Sequence, residues 1–207
     1  MAKLKKKTQL KKVKAKKKVA KKKAVVRKKT AKRAQTVKRT SAQKAATAST
    51  VATMVGRPVP DFVLPSTGGK NLSFKDFFGK NVVLYFYPKD ATPGCTLEGY
   101  DFRRMNREFE DENTVILGVS KDSVKSHESF RAKCEFPFDL IADEHEKLCR
   151  AFDVIQMKSM YGRKYEGIER STFVIDGHGR VVREWRKVKV DGHAQEVLNF
   201  VKSLART

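Results

Sequence analysis

The chain has 207 residues, enough for one ordinary domain and an appendage, and its formal net charge of +23 is unevenly placed. Its three cysteines are too few and too odd in number for a secreted disulfide framework. No apolar run approaches the ~18 residues of a membrane span, and the N-terminus is charged but lacks the apolar core of a secretory signal. These features point to a reducing intracellular compartment.

Residues 1–55 contain 21 Lys or Arg and no Asp or Glu. The remaining 152 residues hold 46 − 21 = 25 basic and 23 acidic side chains, a net of +2. The chain therefore divides into a polycationic arm, 1–55, and a nearly neutral body, 56–207. The arm has no aromatic residue, Gly or Pro, and its scattered Leu and Val make no continuous apolar face, so it is expected to be disordered in isolation. Two uses suit it. It can be a solubilising tail, or it can bind a polyanion through lysines that release counterions from phosphates. The clusters Lys5-Lys6-Lys7, Lys16-Lys17-Lys18 and Lys21-Lys22-Lys23 are the candidate nucleic-acid contacts and also suit nuclear localisation signals. The composition resembles the tails of linker histones and other histone-like chromatin proteins, which implies a nuclear protein near DNA. A mitochondrion with its own DNA and a bacterial nucleoid are the alternatives. A mitochondrial presequence fits less well, because the arm uses mostly Lys and has no Ser before Ser41. No membrane partner is expected, since the arm lacks an interfacial apolar face. Ala45–Arg57 is a small, polar linker, and the domain is placed to begin near Gly56.

In the body, Phe62–Leu64 suits a short edge strand ahead of a Gly68-Gly69 turn, and Leu72–Phe78 a short helical turn. Asn81–Tyr87, NVVLYFY, is a continuous β-branched and aromatic run, the pattern of a strand buried on both faces. A PKDATPG loop follows, and apolar positions near helical spacing predict a helix over Cys95–Asn113. Thr114–Ser120 is a second buried strand. Ser123–Cys134 is a helix capped by Asp122 or Ser123. Phe138–Ala142 is strand-like, Glu144–Phe152 helical, Arg170–Asp176 and Val181–Trp185 are paired strands, and Asp191–Ala205 is a closing amphipathic helix. This order predicts a three-layer α/β sandwich with a central mixed sheet, for which a thioredoxin-like arrangement is the natural candidate.

Cys95 stands where the loop enters its helix. First-turn N–H groups and the positive end of the helix dipole favour thiolate over thiol, the condition for a nucleophile. No second cysteine completes C-x-x-C, so dithiol chemistry of the thioredoxin kind is absent. What stands there instead is Pro88-x-x-x-Thr92-x-x-Cys95. This resembles the P-x-x-x-[TS]-x-x-C signature of peroxiredoxins, and YPKDATPGCTLE resembles their Q-type, or bacterioferritin-comigratory-protein, subgroup. DFVLPSTGGKNLSF, SHESFRAK, KSMYGRKYEGIERSTFVID and WRKVKVDGHAQEVL resemble that subgroup's segments in order.

The resemblance implies a thiol peroxidase for hydrogen peroxide and organic hydroperoxides, re-reduced by thioredoxin or a related dithiol protein. Cys95 would be the peroxidatic nucleophile and pass through a sulfenic acid. Thr92 would bond the thiolate and the peroxide, and Pro88 would shield the sulfenate. Arg170 would supply the guanidinium, backbone N–H groups at Gly94 and Cys95 would complete the site, and Glu98 would position an arginine. Many members carry a resolving cysteine five residues after the peroxidatic one, where this chain has Tyr100. Cys134 is then the internal candidate, in competition with a one-cysteine mechanism; Cys149 reads as core. The four histidines make no metal spacing, no Gly-rich phosphate loop is present, and no cofactor is expected. The body is expected to be monomeric or weakly dimeric. The rival of another class is a chromatin-associated architectural or redox-sensing protein whose peroxidase body is little used.

Overall fold

A computed structural model describes residues 53–160 and 162–204. The lysine clusters of the arm lie outside these residues. Among the described residues, nine strands and four α-helices follow one another: β1 (Leu64–Ser66), β2 (Lys70–Leu72), β3 (Asn81–Phe86), α1 (Pro93–Asp111), β4 (Thr114–Ser120), α2 (Val124–Cys134), β5 (Asp139–Ala142), α3 (Lys147–Ala151), β6 (Ile155–Met160), β7 (Arg163–Ile168), β8 (Ser171–Ile175), β9 (Val181–Trp185) and α4 (His193–Leu204). Seven strands form one sheet in the order β2-β1-β5-β4-β3-β8-β9. Its centre, β5-β4-β3, is parallel, and the flanking pairs are antiparallel. The sheet is therefore mixed, and the fold is the thioredoxin-like sandwich that the element order implied.

Strand periodicity explains the two cores. Successive side chains point to opposite faces, so Val82, Leu84 and Phe86 join one buried cluster while Val83, Tyr85 and Tyr87 join the other. The first cluster is closed by Leu148 and Cys149 of α3, by Phe74 and by Met54. The second is closed by Phe102, Met105 and Phe109 of α1, Phe130 and Cys134 of α2, and Val197, Leu198 and Val201 of α4. A strand apolar on every residue must be covered twice, and the helices supply both covers. Met54 is buried and its N–H donates to Glu184, so the packed body reaches two residues ahead of Gly56.

Several local expectations are corrected. Phe62–Leu64 is not an edge strand. The strand is Leu64–Ser66, flanked by β2 and β5, because the chain reverses at Gly68 and Gly69, both with positive φ, and lays β2 on the edge. The helical turn is a short 3-10 segment, Phe74–Phe77, capped by Ser73. Ser123, not Asp122, caps α2, and its hydroxyl accepts from the Ser126 N–H. The β6–β7 hairpin was not foreseen. It pairs only with itself, and β7 is exposed from Arg163 to Glu166, so no period-2 apolar pattern marks it.

Candidate active site

The site is built where β3 stops. Tyr87 still bonds to β4, its N–H donating to the Val119 carbonyl at 3.1 Å, but Pro88 has no N–H to continue the ladder and lies exposed. The chain crosses to α1 through Ala91, which takes a left-handed φ of 55°. Thr92 occupies the N-cap position with extended backbone, and Pro93 fills the first helical position, where its missing N–H costs nothing. Cys95 is thereby the third residue of the helix. The first N–H with a partner inside the helix is that of Thr96, which donates to the Thr92 carbonyl. The N–H groups of Gly94 and Cys95 have no acceptor within the helix and lie at the positive end of its dipole.

Arg170 reaches this point through sheet register. β8 runs antiparallel to β3 with Ser171 opposite Phe86, so the residue before Ser171 stands beside the end of β3, where the Cys95 loop begins. Its guanidinium is used as a fork. Nη2 donates to Sγ of Cys95 at 3.3 Å, and Nη1 is ion-paired with Glu98, one turn along α1. A Cβ at Gly94 would lie only 3.4 Å from Nη2, so the backbone itself walls the guanidinium in. Cys95 and Glu98 are almost fully buried and the Arg170 side chain is 15% exposed. Burial pushes the Glu98 carboxyl up to about 7, although the Arg170 charge and hydrogen bond pull the other way. Oε1 of Glu98 has no hydrogen-bond partner among the described residues.

A buried cysteine thus stands at a helix mouth beside an arginine from the neighbouring strand, and comparisons with known proteins give the family. The AhpC/TSA family model matches residues 55–184. Peroxiredoxin Bcp of Xanthomonas campestris is 53% identical over 146 residues, covering 70% of this chain and 91% of its own; that of Bacillus subtilis is 47% identical over 151 residues, covering 73% and 96%. A solved structure of X. campestris peroxiredoxin Q aligns with a TM-score of 0.67 at 53% identity, covering 70% of this chain and 91% of that one. The chain belongs to the Q-type peroxiredoxins.

This peroxiredoxin is accordingly a thiol peroxidase, with a peroxide as substrate and a thioredoxin-type reductant. A further X. campestris structure, of the bacterioferritin comigratory protein, concerns the alkyl peroxide reduction activity of that protein. The nuclear expectation is overturned: these relatives are bacterial proteins, from cells without a nucleus. Lysine clusters bind any polyanion and carry no address of their own, which is why composition misled.

Other expected residues are placed differently. The Thr92 hydroxyl donates to the Lys89 carbonyl at 3.1 Å and makes neither a side-chain cap nor a bond to Cys95. Cys95, Cys134 and Cys149 are free, buried thiols. Cys134 is the last residue of α2 and shares a core cluster with Cys95. The Cys134 thiol pushes the nearby Tyr100 hydroxyl up, and Arg103 donates to the Cys134 carbonyl at 2.9 Å. Cys149 is core, as read, and burial pushes its thiol far up. His193 packs under β8 with Nε2 2.8 Å from the Thr172 hydroxyl, and burial lowers it to about 4.

Sequence reasoning passed over Lys158, whose Nζ donates to the Ile168 carbonyl at 2.6 Å. Burial lowers this lysine, and Glu169, Arg170 and Cys95 lie close by. It also passed over a buried pair, Asp90 and His127, directly behind the loop. Neither has a local signal, because the partners come from separate elements.

Proposed function

We propose that Cys95 is the thiol that reacts with peroxide, and that Arg170, the first-turn N–H groups of α1 and Glu98 hold it ready. The carrying observation is the 3.3 Å contact between Nη2 of Arg170 and Sγ of Cys95 at a helix N-terminus. The fixed cation and unpartnered N–H groups favour the thiolate and stabilise charge passing from sulfur to the peroxide oxygens. The thiolate attacks one peroxide oxygen and the O–O bond breaks. The sulfur becomes a sulfenic acid, and the departing oxygen takes a proton and leaves as water or alcohol. Hydrogen peroxide and organic hydroperoxides both fit this step. Cys134 then attacks the sulfenic sulfur, forms a disulfide and releases water, and a dithiol protein of the thioredoxin type restores both thiols.

The test is peroxide turnover by the whole chain with thioredoxin and its reductase. Cys95→Ser abolishes it. Arg170→Ala lowers kcat/KM by about 10²–10³, the loss typical of removing one oriented donor from an oxyanion site. Cys134→Ser traps the sulfenic acid, which a mass map of the oxidised protein detects. Turnover surviving in Cys95→Ser sinks the reading. A Cys134→Ser variant that turns over normally leaves the one-cysteine mechanism, with direct reduction by an external thiol.

We further infer that the basic side chains of the first 55 residues form a polyanion-binding arm ahead of a catalytic body that packs from Met54 onward. The asymmetry of charge, 21 basic and no acidic side chains in the arm, supports this. The salt dependence of DNA binding, argued below, is its test.

A further inference from the structure

The loop carrying Cys95 leaves β3 after Phe86 and enters α1 at Pro93. It is tied down at Asp90, whose side chain is almost completely buried. Oδ1 accepts from the Tyr87 hydroxyl at 2.8 Å, and Oδ2 accepts from the Ser126 hydroxyl at 2.7 Å. Nδ1 of His127 lies 3.1 Å and 2.9 Å from the two oxygens. The Asp90 N–H donates to Asp122 at 2.8 Å, and Asp122 also accepts from the Ser120 hydroxyl at 2.7 Å. His127 is fully buried, and its Nε2 faces the Ile141 carbonyl at 3.2 Å. A carbonyl oxygen only accepts, and so does an ionised carboxylate. Both ring nitrogens of His127 therefore face acceptor oxygens, and the ring bridges Asp90 to Ile141. Burial pushes the Asp90 carboxyl up, but bonds from His127, Ser126 and Tyr87 outweigh it and hold the group below its ordinary value. One loop carboxylate thus gathers β3, the start of α2 and, through the histidine, β5. None of these contacts touches Cys95 or Arg170.

The same helix α2 begins beside this pair and ends at Cys134. His127 and Cys134 are seven residues apart, roughly 10 Å along the axis. Cys95 and Cys134 are both free and buried, and Sγ of Cys95 is held beside Arg170, so a disulfide between them requires the loop or the end of α2 to move. Any contact that fixes the loop against α2 then favours the first chemical step and opposes the second.

We propose that Asp90 is a positioning residue: its bonds to His127, Ser126 and Tyr87 latch the Cys95 loop onto α2, holding Sγ beside Arg170 for attack on peroxide, and the latch must open before Cys95 meets Cys134. This rests on the assignment of Cys95 and Cys134 above.

The experiment separates the two steps in single turnovers, with acid-quenched samples read by mass spectrometry. The variants are Asp90→Asn, which keeps shape and removes the carboxylate, and Tyr87→Phe and Ser126→Ala, which each remove one donor and keep the Asp90–His127 contact. Asp90→Asn is expected to slow Cys95 oxidation by about ten- to a hundredfold, the scale of a misplaced reacting group, while disulfide formation becomes faster. The single-donor variants move both rates the same ways by less, and they carry the test if Asp90→Asn does not fold. Both steps slowing together, or neither changing, overturns the latch. Amide hydrogen exchange over residues 90–96, measured in a Cys95→Ser background with and without Asp90→Asn, reads the latch without chemistry. Unchanged protection also overturns it. Wild-type protein that does not oxidise at Cys95 at all would instead remove the assignment beneath it, leaving the exchange result to stand by itself.

Discussion

Glu98 places a carboxyl where solvent cannot reach and answers only one of its oxygens, with Arg170. Burial raises it from 4.5 to about 7, so the folded protein holds a proton there that the unfolded chain releases. Its stabilising contribution is full below about 4.5 and disappears as pH rises through 7. His193 works the other way. Burial lowers it from 6.5 to about 4, so its contribution is present above 6.5 and lost as pH falls through 4. Wild-type melting would mix the two, and the difference between wild type and Glu98→Gln isolates the carboxyl. Glu98→Gln is expected to destabilise more at pH 5 than at pH 8, by at most about 3 kcal/mol for a shift of this size; denaturant midpoints at the two pH values measure it. A difference independent of pH would mean that Glu98 stays ionised beside Arg170. At this scale the sequence disclosed the residues that a short motif spaces: Cys95, with Thr92 and Pro88 ahead of it and Glu98 behind. It did not disclose that the Thr92 hydroxyl turns back to Lys89, which depends on the loop's path. Nor did it disclose Asp90 with His127, 37 residues apart, since only folding brings them together.

At the scale of elements, two glycines set how closely α1 and β4 approach their neighbours. A Cβ at Gly99, inside α1, would stand 2.3 Å and 2.8 Å from ring atoms of Phe136. Gly99→Ala would gain about 1 kcal/mol of helix propensity, yet overpacking a close contact of this kind costs about 1–3 kcal/mol. The net expectation is a less stable protein, with the loss partly recovered by Phe136→Leu in the same chain. A Cβ at Gly118 in β4 would meet Leu140 at 2.7 Å and Tyr85 at 2.8 Å, and Gly118→Ala is likewise expected to destabilise, because crowding two buried side chains outweighs the roughly 0.5–1 kcal/mol of backbone entropy gained. Urea midpoints decide both cases, and a stabilised Gly99→Ala would show that Phe136 can yield. β3 and β4 were legible as long apolar runs because both faces of the central strands are covered. The β6–β7 hairpin was not, because it leaves most of its side chains in solvent and obeys no apolar period. The β1 strand slipped by two residues because Phe62 packs from the loop while Val63 is exposed, so apolar character there does not follow the ladder.

At the scale of the molecule, charge divides the chain more sharply than any other property. The body carries a net of +2 and closes both faces of its sheet with its own residues from Met54 onward. Such a body is expected to fold and turn over peroxide unaided. Composition made the division legible but could not choose the polyanion, since lysines release counterions from any dense row of phosphates. The discriminating measurement is DNA binding as a function of salt. If the nine lysines of the three clusters each meet a phosphate, the logarithm of the binding constant should fall against the logarithm of salt concentration with a slope of about −8. Replacing one cluster of three by alanine should make the slope shallower by about 3, independent of DNA sequence. A chain shortened to residues 53–207 should keep its peroxide kcat/KM and lose the binding. Equal binding by the shortened chain would place the contacts on the body. A whole chain that ignores DNA at low salt would leave the arm as a solubilising tail, and the peroxidase would stand unchanged.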